Sequence, residues 1–271
     1  MNRDMENLFQ EMENCTVHTA ETSWDYYEMA EDAETEEEAL KFARKALELD
    51  PDNIDAKVMV AEMETEHPHE MLKKYEELIE YGKEIMERKG YMEGDLIGEY
   101  WMIIETRPFM RLYNSYLELL TACGMMRKAA DIGKEMIRYN ENDNLGIRYT
   151  LMHIYSYLED EESMIKLHQK YDGYEETQML LPLSVLYYKL ADFDKAEDYL
   201  KRLAKANKDT GRFMRAVLND SMDKYASRMN PDGYRPFTIE ELMHEMYDYL
   251  FLFASSTSYF DWAVQTLRKK K

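Results

Sequence analysis

The feature that most constrains the fold is a recurrence of small side chains about every 34 residues, at helical spacing. Ala129 is followed by Ser163 after 34 positions, and Ser163 is followed by Ala196 after 33. Upstream, Ala39, Ala43, Ala46 and Pro51 reproduce the Ala-x3-small-x2-Ala-x4-Pro spacing found within one such repeat. A repeat of this length holds two helices that cannot bury their apolar faces alone, so successive repeats must stack on one another. The sequence therefore predicts a chain of helix pairs without a β-sheet.

Residues 105–144 contain the clearest of these helix pairs. In the first helix, apolar side chains at i, i+3, i+4 and i+7 share one face; they are Tyr113, Tyr116, Leu117 and Leu120. Gly124 follows and suits the left-handed turn that ends a helix. In the second helix, the small residues Ala129 and Gly133 permit two helices to approach closely. This stretch therefore predicts a helix–turn–helix unit.

Small residues at helix contacts are typical of tetratricopeptide repeats, which combine two helices with a terminal proline. Ala-Leu-Glu-Leu-Asp-Pro-Asp-Asn at 46–53 is the most specific such signature in the chain. Glu141 stands where many repeats have proline, which weakens the helix stop but leaves the register intact. We predict an all-α fold, a tetratricopeptide-type α–α superhelix (solenoid) with a helical C-terminal cap.

The repeat register also predicts the domain organisation. We expect an N-terminal segment at 1–21, about five helix pairs at 22–209, and a C-terminal helical cap at 210–271. The second pair, 54–89, is degenerate because His67-Pro68-His69 interrupts it. Pro182 falls inside a predicted helix and is expected either to lie in its first turn or to kink it.

Two longer strings suggest a family. Glu-Thr-Arg-Pro-Phe-Met-Arg occupies 105–111, and Asn-Asp-Asn-Leu-Gly-Ile-Arg-Tyr occupies 142–149. Together with 46–53, they resemble a family of bacterial tetratricopeptide-repeat proteins, and the resemblance covers 22–208. It implies an all-helical superhelix and a binding role, but no reaction and no ligand. The motif residues singled out by it are Glu105, Arg107, Pro108 and Arg111.

The charge of the chain limits its partners. A formal net charge of −21 argues against nucleic acid and anionic membranes, because phosphate binding needs clustered lysine and arginine. No apolar run approaches the ~18 residues needed to span a bilayer. We predict a protein or peptide partner, with no nucleic acid and no membrane. A basic partner is compatible with this charge, although acidic helix faces also simply keep an elongated protein soluble. The basic tip at 268–271 suits a helix C-terminus.

Cysteine usage and the N-terminus predict a cytoplasmic protein. Cys15 and Cys123 form neither a disulfide framework nor a metal-ligand cluster. The N-terminal residues are acidic and lack the apolar region of a secretory signal. We expect a monomer or a weak dimer that needs no cofactor.

Inner helices of a repeat superhelix line a concave groove, and this register predicts which residues face it. They are Arg111, Asn114, Glu118, Arg148, Met152, Tyr155, Gln178, Val185 and Tyr188. Such side chains can hydrogen-bond a peptide backbone while offering flat apolar surface. One hypothesis is that Arg111 and Arg148 face one groove and bind an acidic group. The alternative is that Arg107, Arg111 and Arg148 satisfy carbonyls and acidic neighbours within the protein.

Histidines do not indicate a metal or catalytic site. His67 and His69 are flanked by glutamates, but two histidines without a third defined ligand are weak evidence for a metal. His153 and His168 have no serine or cysteine placed for nucleophilic chemistry.

Three function classes follow from these patterns. We predict a non-enzymatic adaptor or scaffold. The alternative is a regulatory helical-repeat subunit that acts with a separately encoded enzyme. A hydrolase would need Glu99, Glu105 and a histidine to converge, which nothing in the spacing requires.

Overall fold

A computed structural model describes residues 21–226 and 233–268, and within these ranges the chain is helical without an extended strand. The predicted all-α class is therefore confirmed. The α-helices are α1 (Ser23–Glu31), α2 (Glu36–Leu49), α3 (Ile54–Glu64), α4 (Pro68–Arg88), α5 (Arg107–Ala122), α6 (Met126–Tyr139), α7 (Ile147–Leu158), α8 (Glu161–Lys170), α9 (Thr177–Lys189), α10 (Phe193–Ala206), α11 (Thr210–Leu218), α12 (Asp223–Ala226), α13 (Ile239–Asp248), α14 (Leu250–Ala254) and α15 (Ser258–Arg268). The expectations for 1–20, including Cys15, and for 269–271 lie outside the described residues.

The chain divides into two compact units, one ending at Leu119 and one beginning at Leu120. The first contains α1 to α4 and most of α5. The second contains α6 to α15. Among the described residues, no helix combines the length and the apolar character needed to cross a membrane.

In the first unit, capping side chains and a proline mark the residues at which helices begin. The Thr22 side chain accepts from the Asp25 N–H, and Asp25 accepts from the Thr22 N–H, which forms a reciprocal cap on α1. The Asn53 side chain accepts from the Ala56 N–H and caps α3. Pro68 is the first residue of α4, where its missing N–H costs nothing. The expected break at 67–69 is therefore a helix start.

Residues 89–106 connect α4 to α5 through three short 3-10 helices, at Gly94–Leu96, Tyr100–Met102 and Ile104–Thr106. The apolar stretch 96–104 thus forms short 3-10 turns and not one α-helix. The buried Thr106 hydroxyl donates to the carbonyls of Tyr100 and Ile103, so side-chain bonds replace a regular helical ladder. Arg107 Nε donates to the Trp101 carbonyl at 2.8 Å, and its guanidinium lies 5.4 Å from the centre of the Trp101 ring. These contacts fix the segment that leads into α5.

In the second unit, small residues lie where helices meet. Ala129 on α6 and Ala196 on α10 are fully buried. Gly133 on α6 faces Leu151 on α7, so closely that a Cβ at 133 would lie 2.7 Å from Leu151 Cδ2. The close approach predicted from these small residues is therefore present. Pro182 lies inside α9 rather than in its first turn, and it is buried.

The C-terminal helices complete the core of the second unit. The packing pairs include α11 with α15, α7 with α14, and α9 with α13. One buried apolar cluster joins Leu181 and Val185 of α9 to Phe213 of α11, Leu242 of α13 and Tyr259 of α15. Residues 233–268 are therefore integral to this unit.

Candidate functional site

Arg111 forms a two-point ion pair that ties α5 to α3 in the first unit. Its Nε donates to Asp55 Oδ1 at 2.9 Å, and its Nη2 donates to Oδ2 at 2.5 Å. The Asp55 side chain is only 6% exposed. The hydrogen bonds to Asp55 hold the pKa of Arg111 above its ordinary value. The guanidinium therefore already has a carboxylate in the position that an acidic ligand would take.

Tyr27 of α1 lies beside this ion pair. It is buried, and its hydroxyl donates to Glu31 at 2.9 Å. Burial raises the pKa of Tyr27, and the nearby Glu31 adds to the effect. The charges of Asp55 and Arg111 also act on this phenol, which places α1 next to the α3–α5 ion pair.

Tyr75 of α4 also binds a glutamate, near the C-terminal end of α3. Its hydroxyl donates to Glu62, and burial, followed by this bond, raises the pKa of Tyr75. Glu118 of α5 also acts on this phenol, and Asn114 donates to Glu118 at 2.6 Å. Glu31, Glu62 and Glu118 are exposed. We call these three carboxylates, with the Asp55–Arg111 pair, the acidic face.

The net charge of the chain is concentrated in the part that carries the acidic face. Residues 1–119 contain 31 acidic and 12 basic side chains, a formal balance of −19. Residues 120–271 contain 24 acidic and 22 basic side chains, a balance of −2. The acidity is therefore a property of the first unit and not a general surface feature.

Arg148 belongs to a helix start in the second unit. Its Nη1 donates to Asp143 Oδ2 at 3.0 Å, and Asp143 also accepts from the N–H groups of Ile147 and Arg148. Burial raises the pKa of Asp143, while these bonds oppose that effect. The guanidinium lies over the rings of Tyr149 and Tyr171. Arg148 therefore satisfies an acidic neighbour and packs against aromatic rings, as the structural alternative expected.

Three of the predicted groove residues are not accessible. Met152 and Val185 are fully buried, and Tyr155 is 3% exposed. Each lies on a helix that is covered on more than one side, so their spacing marked a core face instead of a ligand surface.

Gln178 and Tyr188 contact the C-terminal part of the same chain. Gln178 Nε2 donates to the Tyr234 hydroxyl at 3.1 Å, and the Tyr188 hydroxyl donates to Ser258 Oγ at 3.0 Å. The Tyr188 ring also packs against Trp262. The surface of α9 that the register assigned to a peptide is thus occupied by residues 234–262. Sequence reasoning missed this because the repeat pattern fades after residue 208.

His153 and Glu245 form a buried pair between α7 and α13. His153 Nδ1 lies 2.8 Å from the Tyr149 carbonyl, which can only accept, so Nδ1 carries a proton. Nε2 then faces Glu245 Oε1 at 3.1 Å. Burial lowers the pKa of His153 to about 3 and raises the pKa of Glu245 well above its ordinary value. A protonated Glu245 opposite the Nε2 lone pair fits both shifts. The Tyr249 ring stacks on the imidazole at 3.8 Å, which closes the pair to substrates.

His67, His69 and His168 are also structural or exposed. His67 and His69 are exposed at the start of α4, with parallel rings 5.6 Å apart. His168 Nε2 lies 3.1 Å from the Tyr174 carbonyl. Within residues 21–226 and 233–268, no group of three or more His, Cys, Asp or Glu side chains is placed to hold a metal ion. Cys123 is a free, exposed thiol.

Comparison with known proteins does not assign a family. No protein-family model matches the sequence, and no curated protein matches it at a significant level. The resemblance to bacterial tetratricopeptide-repeat proteins therefore stays a prediction.

Proposed function

We propose that the protein is a non-enzymatic adaptor or scaffold, built as a tetratricopeptide-type superhelix, whose acidic face binds a lysine- and arginine-rich segment of a partner protein. The observation that carries this proposal is the balance of −19 in residues 1–119, together with the exposed carboxylates on α1, α3 and α5. The tandem helix pairs with small residues at their contacts support the repeat architecture.

The arrangement of charges suits recognition of a basic segment. Exposed carboxylates attract a basic chain over about 8 Å, the screening length at physiological ionic strength, and so raise the association rate. The ion pair between the buried Asp55 and the partly exposed Arg111 keeps α3 and α5 in register, which holds Glu62 and Glu118 on neighbouring helices. The buried Tyr27 and Tyr75 donate their hydroxyls to Glu31 and Glu62, which holds these two carboxylates in place.

The geometry of the second unit favours the acidic face as the binding surface. In the predicted groove, Met152, Tyr155 and Val185 are buried, and Gln178 and Tyr188 contact residues 234–262 of the same chain. Arg111 and Arg148 each hold a carboxylate of the same chain. An acidic ligand would have to displace these partners. The exposed carboxylates of Glu31 and Glu62 accept from neutral tyrosine hydroxyls, which leaves their negative charge available to a basic ligand.

A charge-reversal experiment tests the proposal. The probe is a fluorescein-labelled peptide of alternating arginine and glycine, and its control has citrulline in place of each arginine. The variant carries Glu31→Lys, Glu62→Lys and Glu118→Lys. The matched control carries Glu66→Lys, Glu84→Lys and Glu87→Lys, three exposed positions on or near α4 outside the acidic face.

The expected result is binding of the arginine peptide by fluorescence anisotropy, with little binding of the citrulline peptide. The acidic-face variant is expected to lose about tenfold or more in affinity, or about 1.4 kcal/mol, beyond any loss in the matched control. Equal losses in both variants would mean that only net charge matters, and the proposed face would be rejected. Failure of the arginine peptide to bind the unmodified protein would reject the function itself.

A further inference from the structure

A cavity of about 180 Å³ opens in the first unit and shares Asp55 with the acidic face. It lies between the starts of α1 and α3, the end of α4 and the segment that leads into α5. One water needs only about 10–15 Å³ of such space, so the cavity has room for a side chain. Its charged residues are Asp50, Asp52, Asp55, Lys89 and Glu105.

The floor and one wall of the cavity are apolar. Ile54, Ile85 and Met86 are buried beneath it. Trp24 lines the side and is 47% exposed. Its Nε1 donates to Glu28 at 2.8 Å, which fixes the orientation of the indole ring. The cavity therefore offers aliphatic contact at its base and an aromatic surface beside it.

Four carboxylates and one ammonium group carry the charges of this cavity. Asp52 accepts from Tyr81 at 2.7 Å and from Arg88, and Asp55 accepts from Arg111. A carboxylate has about four acceptor positions, so both can accept further bonds. Glu105 is exposed, and its carboxylate makes no hydrogen bond or ion pair with the part of the chain that the structure describes. The excess of acceptors favours a cationic occupant.

The backbone dipole of a neighbouring helix also favours a positively charged occupant. The C-terminal end of α4 lies at the cavity, and its carbonyl groups favour a positive charge. The N-terminal end of α3 also lies there and would favour an anion. However, the Asn53 side chain already accepts from the Ala56 N–H. An anionic ligand would in addition face all four carboxylates.

We propose that this cavity binds one lysine or arginine side chain of the partner, as the anchor of the basic segment that the acidic face receives. This inference rests on the proposed function. The methylene groups of such a side chain would lie on Ile85 and Met86, and its cationic head would meet the carboxylates and the face of Trp24. A purely apolar side chain would bring neither a positive charge nor a donor to the exposed carboxylate of Glu105.

The Glu-Thr-Arg-Pro string acquires a role in this arrangement. Arg107 fixes the connecting segment through the Trp101 carbonyl and ring. Glu105 and Pro108, on either side of Arg107, both line the cavity. We therefore assign Arg107 to positioning the segment and Glu105 to contact with the incoming cation.

The test uses a short peptide of glycine and serine with a single arginine, which separates one anchor from the summed charge of a basic chain. Its controls contain citrulline, which has the shape without the charge, or norleucine, which has only the apolar stem. Binding to the protein is measured by calorimetry. The variants are Trp24→Leu and Glu105→Gln, and the matched control is Glu66→Gln at an exposed position outside the cavity. Far-ultraviolet circular dichroism confirms that each variant is folded.

The arginine peptide is expected to bind more tightly than both controls. Trp24→Leu and Glu105→Gln should each weaken it by about fivefold or more, whereas Glu66→Gln leaves it within about twofold. Equal binding of the arginine and citrulline peptides, or no binding of the arginine peptide, would overturn the anchor site. A loss caused by the acidic-face reversals but not by the two cavity variants would overturn the anchor site and leave the proposed function standing. A loss confined to the cavity variants would support the anchor even if the acidic-face reversals have no effect on the longer peptide.

Discussion

Replacing Gly133 by alanine tests whether α6 and α7 meet as closely as the repeat pattern predicts. The added methyl group would lie 2.7 Å from Leu151 Cδ2 and 2.9 Å from Leu151 Cγ. Leu151 is 1% exposed, so its side chain has no open space to move into. Overpacking of this kind costs about 1–3 kcal/mol. The gain in helix propensity from glycine to alanine is about 1 kcal/mol, so we expect a net destabilisation of up to about 2 kcal/mol.

The predicted effect of Gly133→Ala on stability reverses its sign when Leu151 is also replaced. Leu151→Ala alone should cost about 2–5 kcal/mol because it leaves a cavity. In that background the methyl group at 133 has room, so Gly133→Ala should stabilise by up to about 1 kcal/mol. Gly211 on α11 is the control, since a Cβ there would come no closer than 3.5 Å to Arg215. Gly211→Ala should therefore be neutral or slightly stabilising.

Hydrogen exchange of the α6 and α7 amides under increasing urea is the appropriate assay, because it reports on this helix pair separately from the first unit. The reasoning predicts opposite effects of Gly133→Ala in the two backgrounds, which is a coupling energy of about 1–3 kcal/mol. Additive effects, or stabilisation by Gly133→Ala in the unmodified protein, would show that the two helices do not press together at this point.

Two further predictions concern the second unit. Ala129→Leu should destabilise it by about 1–3 kcal/mol, because the methyl group of Ala129 is fully buried between helices, and an unchanged melting temperature would contradict this. Glu245→Gln should become more stable than the unmodified protein as pH rises above 4.5, the ordinary pKa of the carboxyl. Burial raises that pKa in the folded state, so the unfolded chain loses a proton that the folded state keeps, and stability falls with rising pH. His153 has a lowered pKa in the folded state, so its contribution to stability is lost as pH falls below 6.5. This loss occurs in both the unmodified protein and the Glu245→Gln variant. Urea titrations at several pH values measure the difference, and a pH-independent difference would argue against a protonated Glu245.

The helical class and the helix contacts could be predicted because both are local or periodic properties. Buried Ala129 and Ala196, and the close approach at Gly133, follow from small residues at helical spacing. Helix starts at Thr22 and Asn53 follow from the side chains that cap them. The 3-10 segments before α5 could not be predicted in this way, because Thr106 replaces helical bonds with side-chain bonds.

The surface that faces a ligand could not be predicted from periodicity. Spacing identifies an apolar face, but it does not show whether a distant part of the chain covers that face. Met152 and Gln178 fit the groove register, yet one is buried and the other contacts Tyr234. Arg148 had a readable signal, since Asp143 precedes it by five residues at a helix start. The concentration of acidic side chains before residue 120 was also present in the sequence. It can be assigned to one structural unit only once the unit boundary is known.

Contacts made by the C-terminal helices set the point during synthesis at which the second half of the protein can acquire its structure. The hydroxyls of Thr150 and Tyr249 lie 3.1 Å apart across 99 positions of sequence, and Ser184 accepts from Tyr259 across 75. These contacts cannot form before Tyr249 and Tyr259 have been synthesised. The half that carries the acidic carboxylates contains its own helix contacts and is complete earlier, since domains fold as units from the N-terminus. Under the proposed function, a nascent chain would be able to capture a basic segment before its second half has closed.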